Sequence, residues 1–225
     1  RNNLKGFKNT FKSIINQTLR PNEIIVIYDG HVSNKIIEYI KKYKKKYKVK
    51  ELKNTKNLGL GKSLNKSIKI CKNEIIARVD CDDLNYSNRF KRQINILIKN
   101  NFDLIGSSIL EFDNKKKTKY IRSTPVNDFD IKKNLKLRNP INHQTVIFKK
   151  KAVLESGNYE HVPFFEDYFL WIKMAKNNYK FGNLDQVLVK AKIDDNFYDR
   201  RSGILYLKHY YFFLKKCCKK KLISN

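Results

Sequence analysis

Glu74 to Asp83, EIIARVDCDD, is the stretch on which the reading of the fold turns. Ile75, Ile76, Ala77 and Val79 form a short β-rich run, interrupted only by Arg78, of the kind shown by a strand covered on both faces. It is expected as the central strand of a sheet. Polarity then inverts, and Asp80, Asp82 and Asp83 gather at the strand's carboxyl end. Carboxylates so crowded raise one another's pKa unless a cation or hydrogen-bond donors sit among them. Two readings are open on these residues alone. One is a site for a hard divalent cation, Mg2+ or Mn2+, sharing oxygen ligands with nucleotide phosphates. The other is an aspartate cap on the helix that begins near Ser87, with Asp80 closing a turn.

Working outward, Glu23 to Tyr28 (EIIVIY) reads as a buried strand that ends in Asp29-Gly30, and residues 34–47 as a helix with Ile36, Ile40, Tyr43 and Tyr47 on one face. Phe7 to Leu19 precedes them as a helix, and Val49 to Leu52 follows as a weak strand. Asn57 to Lys62 makes a glycine-bearing loop into a further helix. Gly61-Lys62-Ser63 matches the end of a phosphate loop, but the required first glycine falls on Lys56, so that motif fails on spacing. Strand and helix alternate through residue 100, which predicts an α/β fold with a mostly parallel, doubly wound sheet. Later segments add helices at Asn88 to Ile98, Asp128 to Leu137, Phe165 to Lys176 and Gly203 to Lys221. Strands at Leu104 to Phe112 and Gln144 to Phe148 read as mixed additions. Ligands of such sheets bind at the strands' carboxyl ends, where Asp29 and Asp80/Asp82 stand.

The 225 residues, 41% hydrophobic, suffice for a globular core. The net charge of +28 points to polyanions, yet the lysines are spread through every segment, with dense runs only at 41–50, 115–119 and 215–221. Four cysteines at 71, 81, 217 and 218 form no CxxC pair, which fits a reducing compartment without structural zinc. No apolar stretch is long enough to span a membrane.

SIINQTLRPNEIIVIYDG, NLGLGKSLNKSI, ARVDCDD, NPINHQTVIFKK, FFEDYFLWIKM and NFYDRRSG follow one another in an order that resembles a family 2 glycosyltransferase, in particular the amylovoran-type enzymes of bacterial surface-polysaccharide synthesis. The resemblance implies the GT-A fold over residues 1–201, with a nucleotide-binding half at 1–100 and an acceptor half at 101–201, followed by a basic aromatic helix at 202–225. It also implies a nucleotide-diphosphate sugar donor, a UDP-sugar foremost, and inversion at the anomeric carbon. Asp29 takes the position of a donor base or ribose contact, and Asn57 and Lys62 flank the nucleotide. Asp80-Cys81-Asp82 fits the Asp-x-Asp element, with Asp80 toward the ribose and Asp82 on the metal, Mg2+ or Mn2+; Asp83 supports the loop. Asp167, in the Glu166-Asp167 pair, matches the general base, a role that demands a charged carboxylate within hydrogen-bond reach of the acceptor hydroxyl. On the residues alone, Asp167 can also be a helix cap. Arg200 and Arg201 match a late basic element facing the donor pyrophosphate, where guanidinium forks suit phosphate oxygens; a solvated pair is the plain alternative. His143 falls on the acceptor side, or packs in a turn.

Two departures accompany the resemblance. VKAKIDDNFYDRR offers no histidine to complete a metal shell, so protein coordination is expected to rest on Asp82. Members also begin with an apolar strand central in the sheet; Arg1 follows its place, so this first strand is expected to be missing and Glu23 to Tyr28 to have an unpaired neighbour.

The function expected is transfer of a sugar to a glycan or lipid-linked glycan of capsule, exopolysaccharide or lipopolysaccharide, in the cytoplasm or at the inner face of its membrane. Tyr206, Leu207, Tyr210, Tyr211, Phe213 and Leu214 beside Lys215, Lys216, Lys219, Lys220 and Lys221 suggest either contact with an anionic bilayer or a packed helix with a basic tail. The alternatives are a nucleotidyltransferase acting on sugar phosphates and a basic nucleic-acid-binding module. The second has only charge behind it, and no nucleic acid is expected as partner.

Overall fold

A computed structural model describes residues 3–113, 118–193 and 202–222. Its elements run α1 (Leu4–Ile15), β1 (Ile24–Asp29), α2 (Asn34–Lys44), β2 (Val49–Asn54), α3 (Leu60–Ile70), β3 (Ile75–Ala77), β4 (Leu84–Asn85), α4 (Arg89–Lys99), β5 (Leu104–Asp113), β6 (Thr118–Arg122), α5 (Asp128–Asn134), β7 (Ile147–Lys149), α6 (Lys150–Glu155), α7 (Glu166–Lys176), β8 (Phe181–Lys192) and α8 (Gly203–Lys219), with a 3-10 turn at His143–Thr145.

β1 and β2 pair in parallel from Ile24 opposite Val49 to Asp29 opposite Asn54. The apolar sides of α1 and α2 close over them, burying Phe11, Ile15, Ile24, Ile36, Ile40 and Val49. Tyr39 and Tyr43 of α2 and Tyr47 just beyond it meet the Phe11 ring edge-on or tilted, so tyrosines of a lysine-rich segment close the core. The larger sheet has the order β3-β7-β5-β8-β4, with β6 also on β5. Only β5 and β8 are parallel there; the β3-β7, β5-β7, β5-β6 and β4-β8 pairs are antiparallel. The mixed portion therefore covers this whole sheet. Strand alternation sends Leu104 and Phe148 to the α7 side, while Ile105 and Ile147 meet Phe90 and Leu97 of α4.

EIIARVDCDD is not a central strand. Only Ile75–Ala77 joins the sheet, each residue half-buried, and β3 lies at the end of the strand order. The Arg78 amide still reaches the Val146 carbonyl at 3.0 Å, but its side chain folds back on Asp80 and ends the extended run. Among the described residues, β1 pairs with β2 alone. Glu23 joins the two sheets at the base of β1. Its carboxylate accepts from Lys50 Nζ at 2.6 Å, from the Lys72 amide at 2.5 Å and from Asn73 Nδ2 at 3.0 Å.

α7 holds the interior together. Tyr168 through Met174 are all buried, because α7 is enclosed between the sheet, α3, α6 and α8. Such a helix shows no one-sided apolar stripe. Glu166 and Asp167 stand in its first turn and Lys173 and Lys176 in its last, which suits the helix dipole.

Candidate active site

The acidic turn after β3 is built around a buried arginine. The Arg78 side chain is 7% exposed, and its Nη1 and Nη2 donate to the two oxygens of Asp80 at 2.7 and 2.5 Å. Such a fork gives geometric specificity as well as attraction. Asp80 keeps 39% of its side chain in solvent, so the pair stands at the surface of the turn with its cation beneath. The Arg78 carbonyl accepts from Nη2 of Arg89, which is itself wholly buried and also bonded to Gln93 and Asn85. Asp83 turns inward. Its backbone carbonyl accepts from Thr10, and its carboxylate faces the Lys192 amide at 3.4 Å. Burial pushes its pKa up to about 8, and the neighbouring Asp80 and Asp82 carboxylates push the same way.

Asp167 lies at the start of α7 with 15% of its side chain in solvent. Oδ1 accepts from the Tyr168 amide and Oδ2 from Asn139 Nδ2, both at 2.8 Å. His143 Nδ1 stands 3.9 Å from Oδ2, and its Nε2 is 2.8 Å from the Tyr159 hydroxyl. Burial, with Arg78 adding to it, holds the His143 pKa well below its usual value, so the ring beside Asp167 is neutral. The Asp167 pKa is raised. Burial is the cause, opposed by the Tyr168 amide, Asn139 and the Arg78 charge. Arg78 thus acts electrostatically on Asp80, Asp83 and Asp167 together.

A third carboxylate organises the loop before α3. Asp29 accepts from the Leu58 amide at 2.8 Å, the Gly59 amide at 3.0 Å and Asn54 Nδ2 at 3.0 Å. Burial alone would raise its pKa, but these donors and Ser63 outweigh it and hold the pKa low. Gly30 and Gly59 take left-handed backbone, φ +90° and +84°, where a side chain is strained. Asn57 Oδ1 accepts from the Gly59 amide, and Lys62 points into solvent from the first turn of α3. A Cβ on Gly61 would run into the Glu160 carbonyl and come within 3.3 Å of Glu166 Cβ. The loop pinned by Asp29 therefore abuts the segment that leads into α7.

Arg78 grips Asp80 through two hydrogen bonds and reaches Asp167 through its charge, while Gly61, after the loop pinned by Asp29, lies against Glu160 and Glu166. Arg200 and Arg201 lie outside the described residues. Sequence reasoning missed the roles of Arg78, Asn139 and Tyr159. Arg78 left a signal as the lone charge inside an apolar run, and Asn139 opens the NPINHQT segment. Among the described residues no three His, Cys, Asp or Glu side chains converge in a way that could hold a metal alone. The donor set fits a hard cation only with outside help: Asp82, half-buried in the turn, with phosphate and water oxygens completing the shell.

The Glycosyl transferase family 2 model matches residues 1–157. The amylovoran biosynthesis glycosyltransferase AmsE of Erwinia amylovora is 31% identical over 205 residues, 91% of this chain and 77% of that one. The UDP-Gal:alpha-D-GlcNAc-diphosphoundecaprenol beta-1,3-galactosyltransferase of Escherichia coli is 33% identical over 196 residues, 87% of this chain and 71% of that one. Among solved structures, S. aureus TarS 1-349 in complex with UDP-GlcNAc superposes with a TM-score of 0.70 at 17% identity, over 93% of this chain and 62% of that one. The mannosyltransferase PcManGT of Pyrobaculum calidifontis, in complex with GDP-Man and Mn2+, gives 0.66 at 12% identity over 94% of this chain and 67% of that one. The chain thus spans about three-fifths of the TarS fragment. The fold is that of the GT-A glycosyltransferases. The chain belongs to glycosyl transferase family 2.

Proposed function

We propose that this glycosyltransferase moves a sugar from a nucleoside-diphosphate donor, a UDP-sugar foremost, to a hydroxyl of a lipid-carried glycan in bacterial surface-polysaccharide synthesis, with inversion of configuration. The observation that carries the reading is Asp167: a largely buried carboxylate, hydrogen-bonded on both oxygens, whose burial and whose Arg78 neighbour oppose each other. That balance suits a group that must be ionised before the reaction and protonated after it. The acceptor hydroxyl gives its proton to Asp167 as its oxygen attacks the anomeric carbon. The bond to the diphosphate breaks on the opposite face, which inverts the centre. Asn139 and the Tyr168 amide hold the carboxylate in place for that transfer.

Asp29, Asn57 and Lys62 form the nucleotide side, with Asp29 acting chiefly by fixing the loop. Asp80, oriented by Arg78, would meet the ribose, and Asp82 would hold a Mg2+ or Mn2+ ion. A bound divalent ion supplies positive charge where the leaving diphosphate becomes more negative. Arg200 and Arg201 are assigned to the same diphosphate, Glu166 to the wall beside the base, and His143 to the acceptor side through its contact with Tyr159. The bound nucleotides named for TarS and PcManGT support the donor class, the Mn2+ of PcManGT supports the metal, and the diphosphoundecaprenol of the E. coli relative supports a lipid-carried acceptor. No helix among the described residues is long and apolar enough to cross a membrane. The enzyme is placed in the cytoplasm, meeting its acceptor at the inner face of the membrane.

The test is a donor screen with Mn2+ that reads nucleoside diphosphate release, followed by determination of the product's anomeric configuration. Release of a nucleoside diphosphate with inverted configuration is expected. Pyrophosphate release, or a retained configuration, contradicts the mechanism.

A further inference from the structure

The helix α8 is fastened to the domain along one side and bare along the other. On the packed side Phe213 stacks on Phe165 and Tyr168, each at 5.0 Å, and Cys217 is wholly buried. Glu160 clamps the far end, accepting from Lys216 and Lys220 at 2.9 Å and from Lys173 at 3.0 Å. On the other side Ile204 is 74% exposed, Leu205 65%, Leu207 63%, Tyr211 63% and Phe212 62%. Phe164, 43% exposed, extends this apolar face by packing on Tyr206 and His209. It stands two residues before Glu166.

Lysines discriminate between possible occupants. Ile204, Lys208, Tyr211, Lys215 and Lys219 follow one another at helical spacing along the middle of the exposed stripe. The core of a protein interface is depleted in lysine, because the ammonium would have to be stripped of water. At a bilayer surface the same arrangement is favourable. The apolar side chains enter the acyl boundary while each lysine stem runs up to the phosphates. Beside the stripe lies a groove of about 590 Å3 whose lining joins Val162, Pro163 and Phe212 to His161, His209, Lys215, Lys216 and Lys219. Apolar and cationic side chains in one groove match the tail and head of an anionic lipid.

We propose that the exposed face of α8, continued by Phe164, docks on an anionic bilayer and so holds the start of α7, with its carboxylates, at the membrane surface. The consequence for catalysis rests on the lipid-carried acceptor proposed above; the docking itself does not.

The experiment is sedimentation with vesicles of phosphatidylcholine, with and without phosphatidylglycerol. It compares the intact chain with Ile204→Glu/Tyr211→Glu and with Lys208→Glu/Lys215→Glu, and sedimentation velocity without lipid is run in parallel. Donor hydrolysis by each variant, read as nucleoside diphosphate release into water, reports whether the site is intact. Expected are binding only where phosphatidylglycerol is present, loss of binding in the first variant, weakening by about tenfold or more in the second, and unchanged donor hydrolysis in both. Absence of binding, or equal binding by all three proteins, overturns the proposal. A dimer without lipid that the first variant abolishes also overturns it, by assigning the face to a second copy. Vesicle binding without donor turnover leaves the docking standing and removes the proposed reaction instead.

Discussion

Asp29 and Asp167 are the same residue type, both partly withdrawn from water, and their pKa values move in opposite directions. Asp29 has the amides of Leu58 and Gly59 and the side chains of Asn54 and Ser63 to satisfy its charge. Asp167 has one amide and one asparagine. Desolvation favours the neutral acid in both places; it weighs more on Asp167, which lies deeper, and only at Asp29 do the donors outweigh it. The first carboxylate is a permanent anion that shapes a loop. The second is held closer to its neutral form, as the proposed proton acceptor requires.

Removing the charge at each position breaks the comparison at its strongest point. Asp167→Asn is expected to lower kcat by about 10^2- to 10^4-fold while leaving nucleotide affinity nearly unchanged, as followed by product release and calorimetry. Asp29→Asn is expected to do the reverse. It places an amide donor against the N–H of either Leu58 or Gly59, whichever way the amide turns, at a cost of about 1–3 kcal/mol of stability, and a loosened loop should weaken UDP binding in calorimetry with a smaller effect on kcat. If Asp29→Asn keeps full stability and affinity, the anchor role assigned to it is wrong.

Glu160 offers the smallest and most conditional effect. Burial works against its charge, but hydrogen bonds from Lys216, Lys220 and Lys173 bring its pKa down from the usual 4.5 to about 2. A depressed folded-state pKa contributes stability that is complete above the unfolded value and is lost as pH falls from about 4.5 toward 2. Lys216 is 32% and Lys220 45% exposed, so solvent screens much of the attraction. Glu160→Gln should therefore cost only about 1 kcal/mol, or roughly 2–4 °C in Tm, at neutral pH. The gap between variant and parent should close at the acid end; a gap that persists there would show that packing, and not charge, clamps α8.

What the sequence revealed and what it hid divide along local and non-local causes. The Asp29 strand end and the α7 start carrying Asp167 follow from short apolar runs and a helix whose first turn is acidic. β8 was not legible, because Gly182, Asn183, Asp185 and Gln186 break any alternation. It is a strand through its parallel register with β5, which itself shifts around Ser107 and Ser108. β4, with two residues, and β6, with an almost wholly exposed face, carry no pattern of their own. Arg78 looked like an interruption of β3. It is instead the cation under the site, a role defined by Asp80 two residues on and by Asp167 far along the chain.

The central claim is that Asp167 accepts the proton and that Asn139 keeps it ionised to do so. The acid limb of kcat/KM against pH, measured for the parent and for Asn139→Leu side by side, tests both halves at once. Loss of the Asn139 donor removes a bond to the charged form, so the limb should lie above the ordinary aspartate range in the parent and move to still higher pH in the variant. A limb that stays in place, or moves to lower pH, would contradict the account.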